Sequence, residues 1–136
     1  MAQQKYLLDS NICIHLMRMN AGVVNKIRQV GWNNCCISEM TVVELYYAAE
    51  CSQQRDKNLA EVQDFINSIT VHPLSSCIRE FCSQKARLRR EGSMIDDYDL
   101  FIGCTAVSNN CIMVTENTKH LSRIHNITIE NWVTRD

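Results

Sequence analysis

The residues of this chain best suited to chemistry are carboxylates. Asp96, Asp97 and Asp99 crowd the start of the apolar segment "DLFIGCTAV", and further acids stand at Asp9, Glu44 and Glu116, the last beside Asn117. Acidic residues suit a helix N-terminus, whose free N–H groups carry partial positive charge. Three of them within four positions repel one another more than a cap requires, and a bound cation relieves that repulsion. Two readings stand at this point: an ordinary helix cap with a solvated acid beside it, or one part of a cation site whose other parts come from elsewhere in the chain.

The other acids have the same double character. Asp9 closes the apolar burst "KYLLD", which reads as a buried strand running at its carboxyl tip into a helix. Open parallel sheets bind ligands at that edge, so Asp9 is a functional candidate as well as a cap. Glu44 lies in "MTVVELYYAAEC", where Val42, Val43, Leu45, Tyr46 and Ala49 have helical spacing and Ser38 or Thr41 marks the start. An acid so flanked either faces solvent or is held near the core by a cation or a donor. Glu116 and Asn117 follow the strand-like run "CIMVT". A patch of oxygen donors without His or Cys suits Mg²⁺ or Mn²⁺, hard cations that keep several waters and bridge to phosphates. One or two such ions can activate a water and stabilise the leaving oxygen in phosphodiester cleavage.

The elements that must position these acids alternate. After the first strand come a helix in "NICIHLMR", an amphipathic helix over 21–30 stopped by Gly31, and a short strand "CCIS". The Glu44 helix is followed by "RDKNLAEVQDFINSI", a polar helix with one apolar stripe at Leu59, Val62, Phe65 and Ile66, read as the second arm of a helical hairpin. "ITVHPL" is a third strand ended by Pro73, and 75–91 is a helix closed by Gly92. The helix after the acidic cluster leads to the strand "CIMVT", a helical turn in "KHLSRI" and a last strand in "ITIENW". Strands alternating with helices predict an α/β fold with a mainly parallel sheet and helices on both faces.

At 136 residues the chain fits a single domain, residues 1–136, with no internal linker. A composition 46% hydrophobic and 21% charged, with one proline, argues against disorder. The net charge of −1 gives no overall attraction to nucleic acid or anionic membrane, so an RNA contact must be local or run through bound metal. Arg79, Lys85, Arg87, Arg89 and Arg90 on the 75–91 helix either track a phosphate backbone or form a solvated face. No run approaches the length of a membrane span, and the start "MAQQKYLLDSN" has no secretion-signal pattern. The eight cysteines are therefore expected to be reduced and the chain cytoplasmic, with Cys13, Cys104 and Cys111 packed as small hydrophobes. The four histidines, His15, His72, His120 and His125, are too scattered to predict a zinc site with those thiols, and each is expected to be structural or exposed.

In order, "YLLDSNICI", "ISEMTVVELYYAA", "IDDYDLFIGCTAV" and "VTENTKHLSRI" with "ITIENW" resemble the successive blocks of a PIN-domain ribonuclease of the VapC toxin type. The resemblance covers nearly the whole chain, from Tyr6 to Trp132. It implies a PIN-like α/β/α sandwich and a Mg²⁺- or Mn²⁺-dependent endoribonuclease, with RNA as substrate. It also implies a homodimer and a cognate antitoxin protein that blocks the activity. Carried over by position, Asp9, Glu44 and Asp99 match the three catalytic, metal-holding acids, and Asp97 an additional acid found in some members. Thr115, Ser10 and Asn11 match polar positions near the site. Where many members place a fourth aspartate this chain has Asn117, with Glu116 the nearest acid, so either can be the fourth ligand and one metal is expected to bind better than two. A PIN-like module that only binds RNA or protein is the alternative, disfavoured because a scaffold has no need of clustered carboxylates. An aspartyl-phosphate phosphatase ranks last, since Asn11 stands where a second aspartate is wanted.

Overall fold

The computed structural model describes residues 3–135. Its centre is a sheet of five strands: β1 (Lys5–Leu8), β2 (Cys35–Ser38), β3 (Thr70–His72), β4 (Cys111–Val114) and β5 (Ile129–Glu130). Their spatial order is β3-β2-β1-β4-β5, and all four pairings are parallel. The apolar runs explain the central position of β1, β2 and β4, because a strand covered by helices on both faces has no polar side. In β1, Leu7 packs into one face's core and Leu8 into the other's; both are fully buried.

One face carries α1 (Ser10–Met17), α2 (Ala21–Val30), α3 (Glu39–Glu50) and α4 (Arg55–Asn67), which bury Ile12, Val23, Leu45 and Val62 against Leu8, Ile37 and Val114. The hairpin expected from the stripe at Leu59, Val62, Phe65 and Ile66 is α3 packed on α4. The opposite face carries α5 (Ile78–Glu91), α6 (Asp97–Ser108) and the short α7 (Thr118–Leu121), which bury Phe81, Leu88, Leu100, Ile102 and Leu121 against Leu7 and Met113. The result is the α/β/α sandwich expected. Gly92 closes α5 in the left-handed conformation at φ 69°, where a side chain would be strained. Gly103, inside α6, lets Leu121 and Ile124 lie directly against the helix backbone, where a Cβ would collide with both.

The chain visits one side of β1 first, through β2 and β3, and then crosses to the other side for β4 and β5. The reversal opens a crevice at the carboxyl ends of β1 and β4, where open parallel sheets take ligands. Asp9 follows β1, Ser38 ends β2, and Thr115 follows β4, so the three central strands all deliver polar residues to that edge. The last strand is shorter than "ITIENW" suggested: two residues pair with β4 at the edge of the sheet, and Asn131 then bonds the Val133 N–H instead of continuing the ladder.

The expectation that the histidines stand apart from the thiols fails for His72. Strand order places β2 and β3 side by side and β4 two strands from β2, across β1, and the side chains of His72, Cys36 and Cys111 bring ligand atoms within 4.8 Å of one another. Separations of 36 and 39 residues in sequence are closed by crossover connections that spacing alone cannot reveal.

Candidate active site

Asp9 is set by its backbone. The residue is extended (φ −68°, ψ 161°) as the N-cap of α1, its N–H bonds the Val114 carbonyl at 2.9 Å, and the side chain is left at the mouth of the β1/β4 crevice, only 4% exposed. Its Oδ1 accepts the Ser10 N–H at 2.8 Å, and its Oδ2 accepts the Thr115 hydroxyl at 2.7 Å and the Asn11 amide at 3.3 Å. Burial pushes the Asp9 pKa up, and these three bonds pull it back by favouring the charged form.

Glu44 comes from the second turn of α3, whose N-cap is Ser38. The donor that its apolar flanks called for is Ser10, whose hydroxyl reaches Glu44 Oε1 at 2.5 Å. Partial burial raises the Glu44 pKa, the Ser10 bond lowers it, and the charges of Asp9, Asp99 and Asp96 raise it again. Asp99, in the first turn of α6, is raised by burial and then by Asp9 and Asp96, while His120 and the Asn117 amide act in the opposite direction. Asn117 Nδ2 donates to Asp99 Oδ2 at 3.2 Å. Three carboxylates from three separate segments therefore share one electrostatic environment.

The remaining sequence candidates point elsewhere. Asp97 forms a 3.0 Å ion pair with Lys85 on α5, and Glu116 is held by His15 Nε2 at 2.6 Å and by Arg135. Adjacent residues after a strand face opposite ways, which sends Asn117 to Asp99 and Glu116 to His15. Asp96 caps α6 through the Tyr98 N–H at 3.1 Å while its charge bears on both Glu44 and Asp99. Sequence reasoning placed Asp96 in the cluster without assigning it a role, and it missed His15 and His120. A signal for His15 was present: it lies one helical turn after Asn11, on the same face of α1. Of the basic run on α5, Lys85 is taken by Asp97, and Arg87 by Glu91, Gln84 and the Arg123 carbonyl. Arg79, Arg89 and Arg90 are exposed.

The donor set fits a hard divalent cation. It consists of oxygen atoms, it includes a nearly buried carboxylate, and its members destabilise one another's charged forms in a way that a cation reverses. Among the described residues, no three carboxylates bring oxygens within 4.8 Å of one another. That spacing suits an ion that binds one or two carboxylates directly and keeps waters toward the rest.

The PIN domain signature matches residues 6–126, most of the chain. The chain belongs to the PIN-domain family. Within it the similarity runs to VapC proteins. Ribonuclease VapC2 of Haemophilus influenzae is 33% identical over 133 residues, covering 95% of this chain and 98% of that protein. The tRNA(fMet)-specific endonuclease VapC of Shigella flexneri is 33% identical over 129 residues, covering 94% and 98%. Among solved structures, DNA-bound VapBC from Salmonella typhimurium superposes with a TM-score of 0.88 at 31% identity, over 96% of this chain and 99% of that one. This PIN domain thus shares the fold of VapC chains along nearly their whole length. The α/β/α sandwich that the sequence blocks implied is the fold observed. Among the described residues, no helix is long and apolar enough to cross a membrane.

Proposed function

We propose that the chain is a VapC-type toxin, a Mg²⁺- or Mn²⁺-dependent endoribonuclease that hydrolyses RNA phosphodiester bonds as a single PIN-like domain spanning residues 1–136. The convergence of Asp9, Glu44 and Asp99 on the β1/β4 crevice carries this reading. These three acids are the catalytic residues and would hold the ion, with Asn117 as a neutral fourth group. The relatives' activity as ribonucleases supports RNA as the substrate. When bound, the divalent ion supplies a Lewis acid that lowers the pKa of water and neutralises charge building on the phosphate.

The chain's own residues set up that chemistry. Thr115, Ser10 and Asn11 fix both oxygens of Asp9, so the carboxylate does not have to reorganise when substrate arrives. Ser10 ties Glu44 to the same corner. Glu44 also opens on a cleft of about 370 Å³ lined by Val43, Tyr47 and Tyr98, whose exposed rings can stack on unpaired bases and so favour single-stranded RNA. Asp97, paired with Lys85, and Glu116, paired with Arg135 and hydrogen-bonded to His15, support the ligand shell from outside.

The VapBC complexes among the neighbours support a cognate antitoxin as partner, and exposed Val43, Tyr47, Met94 and Tyr98 support a homodimer or partner face near the site. Eight free cysteines, six of them buried, fit a reducing, cytoplasmic setting. The test is cleavage of total cellular RNA by the purified chain with Mg²⁺, with Mn²⁺ and with excess EDTA, alongside Asp99→Asn. Metal-dependent fragments absent from the variant support the reading. Cleavage undiminished in EDTA rules out the metal, and a folded wild-type chain that binds RNA without cutting it establishes the binding module instead.

A further inference from the structure

A second group of ligating atoms lies away from the acids, on the α5/α6 face of the sheet, with Cys36 and Cys111 near the amino ends of β2 and β4 and His72 closing β3. Cys36 of β2 and Cys111 of β4 lean toward each other across β1 until their sulfurs are 3.7 Å apart. His72 of β3 completes a trio whose ligand atoms all lie within 4.8 Å of one another. Both thiols are buried, whereas His72 is half-buried on the wall of a cleft of about 150 Å³ shared with Lys5 and Asn109.

A disulfide does not suit this pair. The two cysteines flank β1, so their backbones are two strand spacings apart, about 9 Å or more, beyond the reach of about 7 Å that a disulfide tolerates. A metal ion suits it well. Two thiolates at about 2.3 Å from a tetrahedral zinc stand about 3.8 Å from each other, close to the separation already present. The third donor is uncommitted, since among the described residues no hydrogen bond engages the imidazole of His72. The neighbouring Cys111 sulfur and burial push the Cys36 thiol up, the same contact holds the Cys111 thiol below its ordinary value, and the charge of Lys5 on the cleft wall favours both thiolates as a smaller effect.

We propose that Cys36, His72 and Cys111 form a site for a thiophilic metal ion, Zn²⁺ in the first instance, that ties β2, β3 and β4 together over β1 and leaves its fourth position open to the cleft. Soft sulfur and imidazole donors select zinc over magnesium, so the site and the oxygen-lined crevice take different ions. Binding displaces two thiol protons to solvent and stabilises the folded chain, because the strands that carry the ligands meet only in the folded state. The site is independent of the RNA-cleaving reading.

The experiment uses the reduced, metal-free full chain titrated with Co²⁺ and then Zn²⁺. One equivalent of cobalt should give the near-ultraviolet thiolate-to-cobalt absorption and the visible bands of a tetrahedral ion, and zinc should bleach both. The signal should persist in Asp99→Asn and in Cys51→Ala/Cys82→Ala, which remove the carboxylate site and the two exposed thiols. Cys36→Ala should abolish it, and His72→Gln, a partly exposed change that spares the core, should weaken binding by more than about tenfold. On the unaltered chain, zinc should raise the melting temperature and protect Cys36 and Cys111, but not Cys51 or Cys82, from alkylation. Absence of the thiolate band in the unaltered chain overturns the proposal, as does a band that His72→Gln leaves unchanged or that disappears with Cys51 and Cys82.

Discussion

The Thr115 hydroxyl donates to Asp9 Oδ2 at 2.7 Å, joining the residue after β4 to the residue after β1 across the crevice between them. Both side chains are buried, Thr115 completely. The bond favours the charged carboxylate and offsets part of the cost of burying it. Thr115→Val keeps the shape and removes the donor. A buried hydrogen bond to a charged group contributes about 1.5–3 kcal/mol, so urea unfolding at neutral pH should show a loss of that order. The Mg²⁺ concentration for half-maximal cleavage should rise, because Asp9 becomes harder to keep ionised. Thr115→Ser should restore both; failure to do so would mean that the methyl group, not the hydroxyl, matters.

The acids make the metal-free fold sensitive to pH in a stated direction. Burial comes first in raising Asp9, Glu44 and Asp99, with mutual repulsion adding to the last two. Their folded values lie above the unfolded ones, so the stabilisation they give is complete below the unfolded carboxylate range, about 4. It is lost as pH rises through the raised folded values. At neutral pH Asp99→Asn should therefore be more stable than the parent in EDTA, by about 1 kcal/mol or less, since Asp99 is half-exposed and screened. The advantage should shrink as pH falls into the carboxylate range and also when Mg²⁺ stabilises the parent. Cleavage by the variant should be at background. A variant that unfolds instead would make Asp99 a structural cap.

Local pattern made most of the fold legible. The apolar runs ending in Asp9 and Ser38, and the run preceding Thr115, marked strand tips, and Gly31 and Gly92 marked helix ends. The three principal acids were legible for the same reason, since each sits at a strand tip or in the first turns of a helix. Side-chain direction was not legible. Whether Asp97 turns to Lys85 or to Asp99 depends on where α5 lies against α6, and the meeting of His72 with Cys36 and Cys111 depends on strand order. Both are set by tertiary packing rather than by any local periodicity.

An acidic crevice should attract a cationic side chain in place of the metal, and the neighbouring VapBC complexes supply a candidate partner. Inhibition by the proposed cognate antitoxin should require an Arg or Lys of its tail and should weaken as Mg²⁺ is raised. Replacing each tail Arg and Lys by Ala should lower the inhibitor's potency by about thirtyfold or more, the factor that corresponds to the lower end of the roughly 2–5 kcal/mol cost of truncating a buried charge partner. Equal potency in the fully substituted tail, at any Mg²⁺ level, would show that blocking works through another surface.

Asn117 and Glu116 separate the one-metal and two-metal possibilities. The Asn117 amide donates to Asp99 Oδ2, so it holds the acid in place without adding charge, whereas Glu116 is turned to His15 and Arg135. Asn117→Asp replaces that donor with a second carboxylate facing Asp99. In EDTA the repulsion should lower the melting temperature and raise the Asp99 pKa further. With metal present the same charge becomes a ligand, so the Mg²⁺ concentration for half-maximal cleavage should fall. Glu116→Gln should change the metal requirement less than Asp99→Asn, since its partners lie on α1 and the C-terminal segment rather than on the other acids. Metal titration of the three variants decides between them: no gain from Asn117→Asp, together with an inactive Glu116→Gln, would make Glu116 the fourth ligand and require it to leave His15 when the ion binds.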